Sequence, residues 1–461
     1  PPITPVETNR DAQSAFVKKI NDMPTTPVKP VWVDYNKDMQ KVKSGPMEIL
    51  YVQNKDNSLF RLRYRFNMGT WNDKKLGMAA QYLQFLGTDK MSAEEITKAF
   101  YKIACSFTVS ASTEFTTVTI EGLQENFNQA VKLFEDVLKN CKADEAALKS
   151  LKARVSKGRT DAKANKGAIM SGLLNYARYG QNNPYNYTMS DAELNNLTAT
   201  ELVNILHDLN NNYHTILYYG PQPLAQLTTG LITMHKIPAA FKSAPAPVKF
   251  TPIEQSKNQV LFANYNMVQS EIRWIRNSAV YNPDQEAVID VYNNYMGDLV
   301  FQTIRESKAL AYSTFSFHVK PDKKEDPFYS MSYVGSQADK FNEAVVAMNE
   351  LLNDLPHVEQ NVKVARDGLK KDIETARITQ DAIIFNYLAA QRKGLNEDIR
   401  KKVYNSIDKI GYAELKKFHA ENIAHKPYTY CIVASDKRIS EDDMKKFGEV
   451  KKLTLEEIFG Y

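Results

Sequence analysis

Apolar residues recur along this chain with two alternating periods. Met47 to Gln53 and Leu59 to Phe66 are short, dense runs that read as two strands joined by the turn-forming Asn54-Lys55-Asp56-Asn57. Helical spacing follows, from about Lys74 to Leu86 and from Ala93 to Ile103. Two further strands are predicted over Cys105 to Ala111 and Phe115 to Glu121, and then a long amphipathic helix from Gln124 to Asn140. The pattern stays helical to about Leu209 and closes on a strand, Thr215 to Tyr219. Residues 230–257 carry Pro238, Pro245, Pro247 and Pro252 in a weakly periodic stretch, which reads as a linker between domains.

The second half repeats the first. Phe127, Ala130, Val131, Phe134, Val137 and Leu138 form one helical face, and Phe341, Ala344, Val345, Met348, Leu351 and Leu352 form another, each 214 positions later. Ile49-Leu50-Tyr51 matches Val260-Leu261-Phe262 at an offset of 211, and Glu201-Leu202 matches Glu414-Leu415 at 213. Three matched points in one order, with so little drift, imply a tandem duplication. Each copy then runs strand, strand, helices, strand, strand, long helix, helices, strand. Adjacent strand pairs separated by helices point to the α+β class, with a largely antiparallel sheet packed with helices in each copy.

Composition agrees with two globular domains. A chain of 461 residues is too long for one ordinary core, and 43% hydrophobic with 25% charged residues is a globular balance. The net charge of +5 comes from 59 basic and 54 acidic residues spread along the chain, so no basic stripe argues for nucleic acid. No apolar run approaches the ~20 residues of a membrane span, and no signal or anchor pattern opens the chain. It begins at Pro1 without Met, as expected of a processed product or a piece of something longer. Pro1, Pro2, Pro5, Pro24, Pro27 and Pro30 make residues 1–45 read as a lead-in or tether, with one short amphipathic piece from Phe16 to Ile20.

Cys105, Cys141 and Cys431 are too far apart to suggest a disulfide framework or a thiolate metal site. The seven histidines form neither H-x-x-E-H nor H-E-x-x-H, and no G-x-S-x-G, P-loop or G-x-G-x-x-G occurs. Catalysis by this chain alone is not expected. The stretch that draws chemical interest is Phe301 to Phe315. Phe301 to Lys308 can end a helix, with cations in the last turn where the dipole favours them. From Ala311 a strand is expected, with Ala311, Ser313, Phe315, Phe317 and Val319 on one face and Leu310, Tyr312, Thr314, Ser316 and His318 on a wetter one. Spacing leaves two readings open. Arg305 can be a helix-capping cation and Tyr312 an ordinary strand residue, or the two can be donors that hold a carbonyl oxygen as it gains charge.

The run Arg305-Glu306-Ser307-Lys308-Ala309-Leu310-Ala311-Tyr312 resembles the R-E-x-x-x-L-A-Y signature of the pitrilysin and insulysin family of inverted-motif zinc metallopeptidases. Gly77-Met78-Ala79 and Leu86-Gly87-Thr88 sit where family members carry G-L-A-H-F-L-E-H and a following G-T. Asn183-Pro184-Tyr185 and the strand before Gly220 resemble landmarks late in the family's first domain. The similarity covers about residues 45 to 435, and the tail from Leu453 to Tyr461 looks like the end of long bacterial members whose two halves share one polypeptide. On this resemblance the expected organisation is a lead-in (1–45), a first repeat with a degenerate zinc-motif position (46–229), a linker (230–257), a second repeat with the Arg/Tyr motif (258–440) and a tail (441–461).

The departure matters as much as the match. Where the family places H-x-x-E-H, this chain reads Ala80-Gln81-Tyr82-Leu83-Gln84, so both metal ligands, at the Ala80 and Gln84 positions, and the general base are missing. The family's third ligand, a Glu, would fall near Lys157 to Arg159, where there is no carboxylate. The resemblance therefore implies the non-zinc half of a zinc metalloendopeptidase, with no metal of its own. Zinc would lie in a homologous partner half, in the same longer polypeptide or a separate subunit, and Arg305 and Tyr312 would hold the peptide substrate. The alternative is a noncatalytic structural or peptide-binding subunit of the same fold. A periplasmic or envelope location suits the bacterial look-alikes.

Overall fold

The computed structural model describes residues 14–24 and 26–461; Pro1, Pro2 and Pro5 of the lead-in lie outside them. The first half contributes strands β1 (Gln40–Ser44), β2 (Met47–Gln53), β3 (Leu59–Phe66), β4 (Cys105–Ala111), β5 (Thr116–Leu123) and β6 (His214–Gly220). Helix α1 (Ala15–Asn21) precedes them, and α2 (Leu76–Leu83) and α3 (Ala93–Lys102) lie between β3 and β4. Then come α4 (Phe127–Asn140), α5 (Glu145–Lys163), α6 (Lys166–Tyr179), α7 (Asp191–Asn196), α8 (Ala199–His207) and, after β6, α9 (Leu224–Met234). The second half has β7 (Gln259–Asn264), β8 (Gln269–Val280), α10 (Glu286–Val300), β9 (Ser313–Val319), β10 (Pro327–Gln337), α11 (Phe341–Asn353), α12 (Glu359–Thr375), α13 (Ala382–Arg392), α14 (Ile399–Ile407), α15 (Tyr412–Asn422) and β11 (Thr429–Ala434). It ends on α16 (Glu441–Lys445), β12 (Glu449–Lys452) and α17 (Leu455–Phe459).

Local chemistry explains several of these boundaries. At α3 the Ser92 hydroxyl accepts from Glu95 N at 3.2 Å while Ser92 N donates back to the Glu95 carboxylate at 2.8 Å, which satisfies two otherwise orphan donors. Thr198 and Glu201 do the same at α8, and at the matched position of the second copy Glu414 accepts from Gly411 N at 2.8 Å. The apolar faces of α4 and α11 are buried at every position that the repeat pairs.

Both sheets have six strands, in the orders β1-β2-β6-β3-β5-β4 and β12-β7-β11-β8-β10-β9. Pairing is antiparallel except for β2 with β6, β7 with β11 and β7 with β12. The duplicated α+β architecture is thus present. One joint differs from its sequence reading: β6 is inserted between β2 and β3, so the Asn54–Asn57 turn closes no hairpin. Asn54 is buried and holds that turn, its amide donating to Leu59 O at 2.9 Å and its carbonyl accepting from Asp56 N at 3.0 Å. Beyond the expected elements, lead-in residues form β1, and α9 runs to Met234, inside the stretch read as linker.

Each sheet has one face on its own half's helices and the other on a helix from the opposite half. Helix α6 lays Ile169, Met170 and Leu173 against Leu261, Ile275, Cys431 and Val433 of the second sheet, joined by Ile458 and Phe459 of α17. Reciprocally, Ile384 and Ala390 of α13 cover Leu50, Val52, Leu217 and Tyr219 of the first sheet, together with Val33, Tyr35 and Met39 from the lead-in. Charges pin this exchange. Asp381, at the start of α13, accepts from Arg63 at 2.6 Å and Arg61 at 3.1 Å, and Arg392 at its end bonds Glu114 at 2.5 Å.

Each core also encloses histidine. His214 Nδ1 meets Asn212 O, His214 Nε2 meets His235 Nε2, and His235 Nδ1 meets Glu135, each at 2.7 Å, where the chain leaves α9 for the linker. Burial, with His235 beside it, pulls His214 down to about 3. In the second core, burial takes His318 and His419 to about 4.

Candidate functional site

The second half builds an exposed corner at the end of α10. After Val300 the helix widens into a π-helical turn, Phe301–Ser307, in which Lys308 N bonds back five residues to Thr303 O at 3.0 Å. Such wide turns cost hydrogen-bond quality and gather at functional positions. Ile304 is fully buried and anchors the turn, while Leu310 N reaches Ile304 O at 2.9 Å. Ala309 then adopts φ 49°, a left-handed conformation that disfavours a Cβ, and reverses the chain toward β9.

This geometry turns Arg305 and Tyr312 outward. The Arg305 side chain is 48% exposed; among the described residues its guanidinium meets the Phe301 ring at 4.9 Å and the Glu306 carboxylate at 3.6 Å. An exposed pair at that distance is weak, so the donor fork stays available. Tyr312 is 64% exposed, its hydroxyl accepts from Gln337 Nε2 at 3.3 Å, and its N–H bonds Gly335 O at 3.1 Å just ahead of β9. Phe301, one turn before Arg305, was not singled out from the sequence, although a spacing of four on a helix places such pairs together.

The reason given for Tyr312's exposure needs correction. The strand face it was assigned to is the buried one. His318 is 1% exposed and bonds Ser330 Oγ at 3.0 Å, and Ser316 bonds Ser332 at 2.8 Å, so these polar residues satisfy one another inside the core. Phe315 and Phe317 occupy the more open face. Tyr312 is exposed because it precedes the strand.

The first half holds Ala80 and Gln84 at the end of α2, beside edge strand β4. Ala80 is 6% and Leu83 1% exposed, Gln84 caps the helix with its amide on Gln81 O at 3.0 Å, and Tyr82 OH ties the helix to Asp144 O at 2.6 Å. Ala80 and Gln84 border a cavity of about 410 Å³ whose walls include Leu86, Ile96, Phe100 and Phe107. Around the expected third position, Lys157 pairs with Asp161 at 2.6 Å, and Arg159 pairs with Asp191 and donates to Met189 O. Alanine, leucine, an amide and two cations are not a zinc donor set. Among the described residues no group of three or more His, Cys, Asp or Glu side chains is placed to hold a metal ion, and no helix is long and apolar enough to cross a membrane.

Family models match both halves. The model described as Insulinase (Peptidase family M16) matches residues 71–192, which include Ala80 and Gln84, and that described as Peptidase M16 inactive domain matches residues 201–359, which include Arg305 and Tyr312. The chain belongs to peptidase family M16. Over 347 residues this M16 chain is 24% identical to the uncharacterized zinc protease YmxG of Bacillus subtilis, covering 72% of its own length and 79% of that protein. Its fold is similar to the peptidase M16 inactive domain from Pseudomonas fluorescens, with a TM-score of 0.66 and 17% identity over 86% of this chain and 98% of that one. It is also similar to the periplasmic protease PqqL of Escherichia coli, with a TM-score of 0.69 and 11% identity; there the match covers 90% of this chain and 47% of the other. The M16 chain therefore spans about half the length of PqqL.

Proposed function

We propose that this M16 chain is the metal-free half of a zinc metalloendopeptidase that degrades peptides or unstructured polypeptides, and that Arg305 and Tyr312 hold the substrate for a zinc site in a homologous partner half. The observation that carries the reading is the contrast between two corners of one molecule. Two uncommitted donors project at the π-helical turn, while Ala80, Leu83 and Gln84 fill the metal-motif position. The match to about half of PqqL suits a half-enzyme, whether its partner lies in the same polypeptide or in another.

Lewis-acid activation of water would come from the partner half. This chain's part is binding and orientation. The Arg305 fork would bond peptide carbonyl oxygens, and the Tyr312 hydroxyl would donate to the scissile carbonyl as negative charge develops. Mixing the chain with its zinc-bearing half and assaying cleavage of an unstructured peptide tests this. Arg305→Ala and Tyr312→Phe are each expected to lower the rate on the order of 100-fold, without loss of folding since both side chains are exposed. Full activity in both variants would overturn the assignment.

A noncatalytic peptide-binding or structural subunit is the second reading, favoured by the missing donor set in α2. A neighbouring coding sequence with H-x-x-E-H supports the enzyme; its absence supports the subunit.

A further inference from the structure

One arginine on the second sheet has no hydrogen-bond or ion-pair partner among the described residues. Arg61, Arg63, Arg159, Arg276 and Arg400 each find a carboxylate or carbonyl oxygen, and Arg65, whose side chain has no hydrogen bond among the described residues, stands beside Glu114. Arg273 of β8 is only half-buried, yet among the described residues it has no hydrogen bond or ion pair, and its Nε is closed off from solvent. Glu271, two residues along the same face, is taken by Lys166 at 2.5 Å. A partly desolvated guanidinium whose donors are left unbonded is the feature expected where a ligand anion completes the site.

Its neighbours shape that site. Tyr333 is the direct cross-strand partner of both Arg273 and Phe315, so the three side chains form a row across β8, β10 and β9 on the sheet face that α6 partly covers. The Arg273 guanidinium lies 5.1 Å from the Tyr333 ring centre and 5.8 Å from that of Phe315, and Phe315 stacks on Phe317 at 4.7 Å. The row leads to the corner described above. Tyr333 lies along its strand, its hydroxyl where a Cβ on Gly335 would fall, and next on that face comes Gln337, which holds Tyr312. Four residues of strand from Tyr333 to Gln337 span about 13 Å.

We propose that Arg273, Tyr333 and Phe315 form a substrate subsite that takes an acidic side chain, about four residues along an extended peptide from the residue held at Tyr312. The occupant is the peptide substrate itself. Arg273 supplies the charge that its surroundings do not neutralise, and Phe315 and Phe317 supply apolar area for the flanking residues. The inference rests on the proposed substrate-holding role, and it adds a preference for acidic residues at one distance.

Paired fluorescein-labelled peptides, with Glu in one and Gln in the other at a position scanned along an unstructured background, test it by fluorescence anisotropy on the intact chain. The Glu peptide is expected to bind about ten-fold more tightly at one register, a difference of ~1.4 kcal/mol. Arg273→Gln should abolish that preference, so that the Glu and Gln peptides bind alike at that register, and Arg273→Lys should keep part of it. Thermal melts of both variants check that the fold is retained. Equal binding of the Glu and Gln peptides at every register, with both still weakened by Arg305→Ala and Tyr312→Phe, overturns the subsite and leaves the substrate-holding reading standing. Failure of the unaltered chain to bind any peptide overturns both.

Discussion

The two copies of the domain make the same turn, from helix into edge strand, with different results. Ala104 before β4 has φ 47° and Ala309 before β9 has φ 49°, so each corner spends a left-handed alanine to reverse the chain. In the first copy the strand starts at once, and Cys105, the next residue, is buried beside the cavity that Ala80 borders. In the second, Leu310, Ala311 and Tyr312 intervene before Ser313, and the helix ahead is wound as a π turn. Those changes convert a closed apolar corner into one that presents a cation and a phenol. A duplicated fold thus differs in what its corners present, through the helix end and the few residues after it, while its sheet order is kept.

The comparison can be broken most forcefully by asking the first copy to hold a metal at the α2 position. Ala80→His, Leu83→Glu and Gln84→His together should cost about 3 kcal/mol or more, because Leu83 is inside the core and its replacement buries a carboxylate. Denaturant unfolding reads the loss, and calorimetry with zinc should show no tight site, since residues 157–159 offer no carboxylate and the ones beside them, Asp161 and Asp191, are taken by Lys157 and Arg159. Stoichiometric zinc binding with unchanged stability would erase the distinction drawn between the corners.

Acid should act on both copies alike. With His214 held near 3 and His318 and His419 near 4, the folded chain stays unprotonated where the unfolded chain, near 6.5, already binds protons. Between about 6.5 and 4 the unfolded state therefore binds more protons, and stability falls as pH falls. Melting temperatures across that window should drop. His318→Gln combined with His419→Gln should flatten the slope, and a slope unchanged in that variant would assign the acid limb elsewhere.

The smallest expected effect concerns the alanines themselves. Replacing either with glycine relieves ~1–2 kcal/mol of left-handed strain and forfeits ~0.4–1 kcal/mol to the freer unfolded chain, so each of Ala104→Gly and Ala309→Gly should stabilise by about 0.5 kcal/mol. Different signs at the two positions, read from urea midpoints, would show that the corners are not equivalent.

Much of this was legible in the residues. Met47 to Gln53, Leu59 to Phe66 and Cys105 to Ala111 coincide with β2, β3 and β4, since dense apolar runs bounded by turn residues leave little freedom. The repeated helical face located α4 and α11. Nonlocal pairing was not legible: nothing near Asn54 announces that β6 will enter between β2 and β3. β1, with the sequence Gln-Lys-Val-Lys-Ser, has no apolar alternation because it lies on the sheet's edge. Strand β9 misled because its polar face is hidden by cross-strand partners, Ser332 and Ser330, that only the fold brings near. The π turn left no periodic trace, and the lone Arg273 could not be recognised until its neighbours were known to leave it unpaired.

The exchange of α6 and α13 has a consequence for how the molecule holds together. Its two halves are separate in the order of the chain but interlocked in space, each wearing a helix of the other as part of its own wall. A single cut between His235 and Asn258 would sever the backbone without parting the pieces. To unfold one half is to strip the other of its cover, so the duplicated protein stands or falls as one body.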